Sequence, residues 1–206
     1  MNLYRSISSY LKDCENSFKL IPEKRIILLK EFSEYISQKL KKSEVVNITF
    51  ICTHNSRRSH FAQIWMQTTA SFYGIKKVHC FSGGTEATAF NPRAVKALQK
   101  AGFDITKKDK SENPVYFVQY SEDLKPIKCF SKTYNNPFNP QKNYAAIITC
   151  SDADENCPVV FGADARFPIR YEDPKKFDDT HDEEKMYDER CKQIATEMLL
   201  VCRYLS

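Results

Sequence analysis

The 206-residue sequence lacks any apolar run of the length that a transmembrane helix requires, about 18 residues. Residues 1–17 also lack the apolar core of a secretory signal peptide. These two absences predict a cytoplasmic protein without a membrane partner. The formal net charge is +5, and Lys and Arg are spread along the chain without a long basic run. Such a charge favours anionic ligands and does not predict a nucleic-acid partner.

The cysteines lack the Cys-x2-Cys spacing that is typical of structural zinc sites. We therefore predict no metal site, since neither Cys52 with His54 nor Cys150 with Cys157 makes a suitable ligand set. The eight cysteines would suit a disulfide framework in a secreted chain. In a cytoplasmic enzyme of this length they indicate buried or redox-active thiols instead.

Residues 45–59, VVNITFICTHNSRRS, form the most informative pattern in the chain. A β-branched apolar run ends at Cys52, and a helical pattern begins at Arg58 and Ser59, which predicts a strand, a loop and a helix. Loop N–H groups and a helix N-terminus suit a tetrahedral oxyanion, and Arg58 can bind two of its oxygens. The same positive field favours a Cys52 thiolate, which is a nucleophile. The alternative is a buried strand-end Cys52 with Arg58 in a surface ion pair.

Apolar runs alternate with helical patterns after residue 44, which predicts an α/β fold: a doubly wound parallel sheet flanked by helices. Folds of this kind bind ligands at the carboxyl ends of strands, near the point where strand order reverses. Cys52 lies at such an end. The expected strands are 45–51, 77–82 and 144–149, and the expected helices are 59–72, a short helix capped by Asn91, and 181–205.

Two segments are predicted to lie outside this core pattern. Residues 1–44 are interpreted as an N-terminal extension of two helices, the second starting at Pro22, ahead of a catalytic domain at 45–206. The extension either packs on the domain or mediates dimerisation, and the sequence leaves the oligomeric state open. Residues 111–143 predict a β-hairpin insertion followed by an irregular loop rich in Asn and Pro.

A second pair of thiols follows the strand predicted at 144–149, in the run CSDADENCP. Cys150 and Cys157 are seven positions apart, roughly 10.5 Å along a continuous helix, whereas a disulfide needs Cα atoms within about 7 Å. The polar residues between them make a poor buried helix, so we expect this segment to loop out and bring the sulfurs together. The alternative is that Cys150 is a core residue and Cys157 a loop thiol without a redox role.

The Cys-x5-Arg-Ser pattern, between a strand and a helix, resembles the signature of protein tyrosine phosphatases. Its place at the first core strand narrows the resemblance to the low-molecular-weight phosphatases and the thioredoxin-coupled arsenate reductases. The resemblance implies that Cys52 is the nucleophile and that Arg58 and Ser59 assist it. It also implies a supporting role for Ser82 and a general-acid role for Asp173, in the Asp-Pro pair before the last helix. The implied oxyanion-binding loop consists of Thr53, His54, Asn55, Ser56 and Arg57.

The run around Cys150 and Cys157 resembles the redox segment of the arsenate reductases, which implies a disulfide relay. Cys52 would attack arsenate, and Cys150 would attack the Cys52 sulfur as arsenite leaves. Cys157 would then attack Cys150 and free Cys52. Thioredoxin or a similar thiol reductant would reduce the last disulfide, so no tightly bound cofactor is implied. We therefore expect an arsenate reductase.

Two other functions remain open at this point. A low-molecular-weight protein tyrosine phosphatase, acting on phosphotyrosine or small phosphoesters through a cysteinyl-phosphate intermediate, would need only the signature residues and Asp173. Aromatic residues commonly follow the Asp-Pro pair in such phosphatases, whereas Lys175 and Lys176 follow it here, which suits a small anion. A regulatory module with a vestigial anion site is the third hypothesis. Asp178 and Asp179 are alternatives to Asp173 as the acid.

Several positions depart from the family's pattern. Relatives often carry Gly at the position of His54 and a small residue or Cys at the position of Arg57. Some reductases bind potassium beside the loop through an Asn and a Glu. Asn55 fits the first of these positions, but Gln63 occupies the second, so a bound cation is not expected.

Overall fold

The computed structural model describes residues 2–156 and 159–206, the side chains of residues 155 and 156 excepted. Its α-helices are α1 (Arg5–Glu15), α2 (Glu23–Lys41), α3 (Arg58–Phe72), α4 (Pro92–Lys100), α5 (Ser151–Asn156) and α6 (Glu183–Arg203). Its strands are β1 (Val46–Cys52), β2 (Val78–Gly84), β3 (Asp104–Lys107), β4 (Tyr116–Gln119), β5 (Ile127–Cys129), β6 (Tyr144–Ile148) and β7 (Ala163–Phe167). Short 3-10 helices cover Phe18–Leu20 and Pro174–Phe177.

The central sheet is parallel and has the strand order β2-β1-β6-β7. The chain places β2 on one side of β1 and then returns to place β6 on the other side. Strand order therefore reverses at β1, and the carboxyl end of β1 is the expected position for a ligand. The predicted fold class, a parallel sheet flanked by helices, is confirmed.

The two faces of the central sheet pack against hydrophobic clusters of different size. In β6, Ala145 and Ile147 belong to the larger core, which includes residues of α2, α3 and α6. Tyr144, Ala146 and Ile148 point the other way, into a small cluster with Ala153 of α5. This alternation follows from the two-residue period of a strand, and it explains why β6 is apolar throughout.

The predicted hairpin at residues 111–143 is confirmed as the antiparallel pair β4 and β5. It is part of a larger unit, because β3 pairs antiparallel with β4 and completes a three-stranded sheet. The sequence analysis did not predict β3 or the edge strand β7. They have only four and five residues, so their patterns are too short to distinguish a strand from a loop.

Residues 151–156 require a correction, because they form the helix α5 where the sequence suggested an open loop. Asp152 and Asp154 lie in its first turn, where negative charge is favourable at a helix N-terminus. The carboxylate of Asp154 also forms ion pairs with Arg166 and Arg170. The polar helix α5 is stabilised because arginines outside the helix pair with Asp154.

The N-terminal helices pack onto the same core as the sheet. Ile7 and Leu11 of α1 and Leu29 and Phe32 of α2 are fully buried among residues of that core. The ring of Tyr10 stacks on Trp65 of α3, with centroids 5.1 Å apart. Within the described part of the chain, no helix is long and apolar enough to span a membrane.

Shortening Phe32 to Ala tests whether the extension contributes to the stability of the core. Phe32 is 0% exposed, and its ring lies 5.3 Å from that of Phe167 in β7. We expect Phe32→Ala to lower the free energy of unfolding by about 3–5 kcal/mol in chemical denaturation. Ile27 lies on the same helix and is 53% exposed. Ile27→Ala should therefore change the free energy of unfolding by less than about 0.5 kcal/mol. Equal effects of the two changes would contradict the packing of α2 on the core.

Candidate active site

The loop between β1 and α3 is held open by hydrogen bonds to its carbonyl groups. Asn55 adopts φ 45° in its middle, a left-handed conformation that Asn tolerates better than most residues. Carbonyl groups that point outward favour N–H groups that line the concave side, where an anion would bind. The carbonyl acceptors and their donors are Cys52 with Thr85 N–H (3.1 Å), Thr53 with Glu86 N–H (2.9 Å), His54 with Ser131 Oγ (2.9 Å) and Ser56 with Asn91 N–H (2.9 Å).

The Cys52 side chain lies at the base of this loop and is 3% exposed. Its sulfur is 3.1 Å from the Ser59 hydroxyl oxygen, which accepts a hydrogen bond of 2.9 Å from Asn55 Nδ2. Because Asn55 donates to it, the Ser59 hydroxyl can turn its own hydrogen toward the sulfur. This chain of bonds directs a hydrogen-bond donor at the Cys52 sulfur.

Arg58 connects the loop with the segment that carries Asp173. Its Nη2 donates to Asp173 Oδ2 at 2.6 Å, and its Nη1 donates to the Tyr171 carbonyl at 3.0 Å. Asp173 is followed by Pro174, and its other oxygen accepts from the Lys175 N–H at 3.0 Å. The structure thus brings Cys52, Arg58, Ser59 and Asp173 to one end of the sheet, as expected from the sequence.

Arg57 has partners that the sequence did not reveal. Its Nε donates to the Tyr187 hydroxyl at 2.7 Å, and its Nη2 lies 3.4 Å from Asp178 Oδ2. Tyr187 in turn donates to Asp178 at 2.7 Å. Asp179 pairs with Arg93 at 2.6 Å. Asp178 and Asp179, the alternative acids, are therefore both engaged by arginines other than Arg58.

Cys150 lies beside the oxyanion loop. The Thr149 N–H donates to the Ile51 carbonyl at 2.7 Å, which aligns the residues that follow the neighbouring strands β6 and β1. The Cys150 sulfur is buried, lies 3.5 Å from Thr53 Oγ1 and accepts from the Ala153 N–H at 3.4 Å. Cys157, the third thiol of the expected relay, lies outside the described residues.

Ser82 lies behind the loop next to a buried histidine. Its hydroxyl is 3.3 Å from His60 Nδ1, and the His60 ring stacks on Phe90 with centroids 4.1 Å apart. Burial, with a smaller contribution from the charge of Lys132, lowers the pKa of His60 well below its usual value. His60 is therefore neutral in the folded protein and supports the loop without adding charge.

His54, by contrast, lies on the rim of the loop. Its Nε2 is 2.9 Å from Glu86 Oε1, and its side chain is 39% exposed.

Gln63, at the position where some reductases carry a cation-binding Glu, donates to the Cys80 carbonyl at 3.1 Å. Among residues 2–156 and 159–206, no three His, Cys, Asp or Glu side chains lie close enough together to hold a metal ion.

The hairpin insertion closes the site from the β2 side. The Lys132 N–H donates to Asn55 Oδ1 at 3.0 Å, and the Lys132 carbonyl accepts from the Gly84 N–H at 2.9 Å. The Lys132 side chain is 2% exposed, with its ammonium 4.5 Å from the centroid of the Phe130 ring. Burial lowers the pKa of this amine to about 8. No sequence pattern predicts this contact of Lys132, because it depends on how the insertion folds back.

The sequence relatives of the chain include proteins named arsenate reductase. Residues 47–115 match the model of the low molecular weight phosphotyrosine protein phosphatase family. Arsenate reductase 2 of Staphylococcus epidermidis is 30% identical over 114 residues, which are 55% of this chain and 66% of that protein. The arsenate reductase of Bacillus licheniformis is 29% identical over 153 residues, 74% of this chain and 91% of that protein. The chain thus spans just under two thirds of the staphylococcal relative.

Solved structures share the fold at lower identity. The low molecular weight protein tyrosine phosphatase of T. tengcongensis superposes with a TM-score of 0.53 at 16% identity, covering 78% of this chain and 99% of that chain. A low molecular weight phosphotyrosine phosphatase of Vibrio cholerae O395 gives 0.52 at 11% identity, with 77% and 95% covered. Identities this low establish the fold alone.

The Cys52 loop lies at the carboxyl end of β1 in a fold shared with low-molecular-weight phosphatases. The resemblance to the family of low-molecular-weight phosphatases and arsenate reductases, predicted from the signature, is confirmed by the family model and by the named relatives.

A methyl group at Gly84 tests the geometry of the loop. A Cβ there would lie 2.5 Å from the Thr53 carbonyl oxygen and 2.7 Å from the Asn55 nitrogen, both backbone atoms. We expect Gly84→Ala to displace the loop and to weaken orthophosphate binding about tenfold or more in titration calorimetry. Gly74→Ala is the matched control. It strains a left-handed residue at φ 68° with no neighbouring atom within 4 Å, so it should cost stability and leave phosphate affinity unchanged. Equal phosphate affinity in both variants would show that Gly84 does not shape the site.

Replacing Lys132 with Met should change how stability depends on pH. The folded-state pKa of about 8 lies below the usual value of about 10.4, so the unfolded chain binds more protons between these values. Stability of the unchanged protein should therefore gain from this group as the pH rises from 8 to 10. The advantage of Lys132→Met, up to about 3 kcal/mol below pH 8, should shrink over that range in denaturant titrations. Lys125→Met, at an exposed position, is the control, and a pH-independent difference for Lys132→Met would refute the assignment.

Proposed function

We propose that this chain is an arsenate reductase that uses Cys52 as the nucleophile and Cys150 as the second thiol. The observation that carries the proposal is the position of the buried Cys150 sulfur, 3.5 Å from the hydroxyl of Thr53, the residue that follows Cys52. A phosphatase needs no second thiol there. The relatives named arsenate reductase support the same choice.

The first step binds arsenate in the loop. The loop N–H groups and the guanidinium of Arg58 would hold its oxygens, in the way that such groups bind tetrahedral oxyanions. The Cys52 thiolate attacks arsenic and forms a sulfur–arsenic bond, and one arsenate oxygen leaves. Once Arg58 turns from Asp173 to the bound arsenate, a protonated Asp173 would donate its proton to an arsenate hydroxyl, which departs as water.

The second step transfers two electrons to arsenic. The Cys150 thiolate attacks the Cys52 sulfur, a sulfur–sulfur bond forms, and the sulfur–arsenic bond breaks. Its electron pair stays on arsenic, which leaves in the trivalent state as arsenite. The two thiols are thereby oxidised to a disulfide while arsenate is reduced, so the electrons balance.

The third step would move the disulfide away from the loop. A Cys157 thiolate would attack Cys150 and release Cys52 for another turnover. A disulfide needs Cα atoms within about 7 Å, and α5 occupies the residues that follow Cys150, so we expect α5 to open for this exchange. The ion pairs from Asp154 to Arg166 and Arg170 would have to break as it does so. A dithiol protein of the thioredoxin type in the cytoplasm would then reduce the Cys150–Cys157 bond.

Hydrolysis of a phosphoester is the second candidate function, because Cys52, Arg58, Ser59 and Asp173 would serve it equally well. The cysteinyl-phosphate intermediate would be attacked by water instead of by a thiol. The residues after the Asp-Pro pair argue for a small anion, since Lys175 and Lys176 are exposed cations and do not form an aromatic wall.

Coupled turnover separates the two functions. NADPH loss is followed with thioredoxin, thioredoxin reductase and arsenate, beside hydrolysis of p-nitrophenyl phosphate. We expect arsenate turnover in the unchanged protein and a fall of about a hundredfold or more in Cys150→Ser and in Cys157→Ser, because each removes a step of the relay. Any phosphoester hydrolysis should persist in both variants.

Cys129→Ala is the matched control for that experiment, because Cys129 is also a fully buried thiol but lies in β5. It should leave arsenate turnover unchanged. Rapid phosphoester hydrolysis without arsenate turnover in the unchanged protein would identify a phosphatase instead and leave Cys150 without a role in catalysis.

A further inference from the structure

Arg25, a residue of the N-terminal extension, contacts the segment that leads to Asp173. Its Nη2 donates to the Arg170 carbonyl, its Nε lies 3.3 Å from Glu197 Oε1, and its guanidinium lies 5.1 Å from the centre of the Tyr171 ring. A planar guanidinium can donate from two edges while its face lies against a ring, whereas an ammonium is a compact point charge without that fixed geometry. Helix α2 therefore reaches residues 170 and 171 through a single side chain.

Glu197 is the buried partner of this contact. It lies on α6, is 2% exposed and accepts a hydrogen bond of 2.7 Å from the Tyr171 hydroxyl. Burial raises the pKa of Glu197, and the charge of Arg25 opposes that rise. Arg25, Glu197 and Tyr171 are thus one connected group, in which each polar side chain satisfies another.

Tyr171 transmits this contact to the site through its backbone. Its N–H donates to the Thr149 carbonyl at 3.0 Å, next to Cys150. Its carbonyl accepts from Arg58 Nη1 at 3.0 Å, and Asp173, which binds the other nitrogen of Arg58, follows two residues later. A shift of Tyr171 would move the acceptor that orients the Arg58 guanidinium.

We propose that Arg25 is a positioning residue of the active site, which fixes Tyr171 and through it the orientation of Arg58 and Asp173. Arg25 touches none of the reacting atoms. The N-terminal extension would then belong to the oxyanion site as well as to the core. The proposal rests on the proposed function only in that the Cys52 loop must bind a tetrahedral oxyanion.

Two other ion pairs of the extension contact neither residue 170 nor residue 171. Lys192 pairs with Asp13 at 2.5 Å at an exposed position, and the half-buried Lys39 pairs with Asp164 at 2.5 Å. They can hold the extension in place without affecting the loop. Arg25 differs because two of its three contacts are with the backbone of Arg170 and the ring of Tyr171.

The test measures the orthophosphate dissociation constant by titration calorimetry, with the unfolding midpoint measured in parallel. We expect Arg25→Met to weaken phosphate binding about tenfold. Arg25→Lys keeps the charge facing Glu197 and should restore most of the unfolding midpoint, yet leave phosphate binding weak. Lys24→Met, at the exposed neighbouring position, should change neither quantity.

Two further variants keep the test decisive if Arg25→Met unfolds because Glu197 is left unpaired. Arg25→Met combined with Glu197→Gln removes both charges, and it should fold and still bind phosphate weakly. Phe32→Leu, a buried change on the same helix, should lower the unfolding midpoint without changing phosphate affinity. A double-mutant cycle of Arg25→Met with Tyr171→Phe should be non-additive in phosphate affinity.

Unchanged phosphate affinity in folded Arg25→Met, or full recovery of affinity in Arg25→Lys, would overturn the positioning role while leaving the proposed function intact. Equal loss of affinity in Phe32→Leu would also overturn it, because any destabilisation would then have the same effect. If the unchanged protein binds no phosphate, the proposed function fails and this inference fails with it.

Discussion

The guanidinium of Arg58 is the contact on which the arrangement of the site depends. It belongs to the first turn of α3, yet its two terminal nitrogens bind the Tyr171 carbonyl and the Asp173 carboxylate. Arg58 is 7% exposed, so these bonds act in a largely water-excluded environment, where they are stronger than at the surface. When an oxyanion enters the loop, the same nitrogens are the natural donors to it. The Asp173 carboxyl group would then lie next to the oxyanion's departing oxygen.

The loop also depends on parts of the chain that lie outside the family pattern. Asn55 uses one end of its amide for Ser59, which contacts the Cys52 sulfur, and the other for the Lys132 N–H, so one side chain connects the hairpin insertion with this pair. The close approach of Gly83 to Tyr134 and of Gly84 to the loop leaves no room for side chains there. The insertion therefore serves as a wall of the site.

The sequence was sufficient to predict the parts of the site that are encoded locally. Cys52, Arg58 and Ser59 fall within eight positions, and strand and helix periodicity on either side defines their geometry. The partners of these residues could not be predicted, because Arg58 meets Tyr171 across 113 positions and Arg57 meets Tyr187 across 130. Helix α5 was missed for a related reason, since the arginines that pair with Asp154 come from β7 and beyond. Local sequence patterns predict the individual helices and strands. Hydrogen bonds and ion pairs between distant residues depend on how those elements pack, which the local pattern does not encode.

The central claim is that the Cys52 loop holds a tetrahedral oxyanion against a reactive thiolate. The most direct test is alkylation by iodoacetamide, with each cysteine followed by peptide mass mapping, in orthophosphate and in chloride of equal ionic strength. The account predicts that Cys52 reacts faster than the buried Cys129, and that orthophosphate slows the reaction at Cys52 selectively. Alkylation of Cys52 that is as slow as that of Cys129, or that phosphate does not affect, would contradict the account.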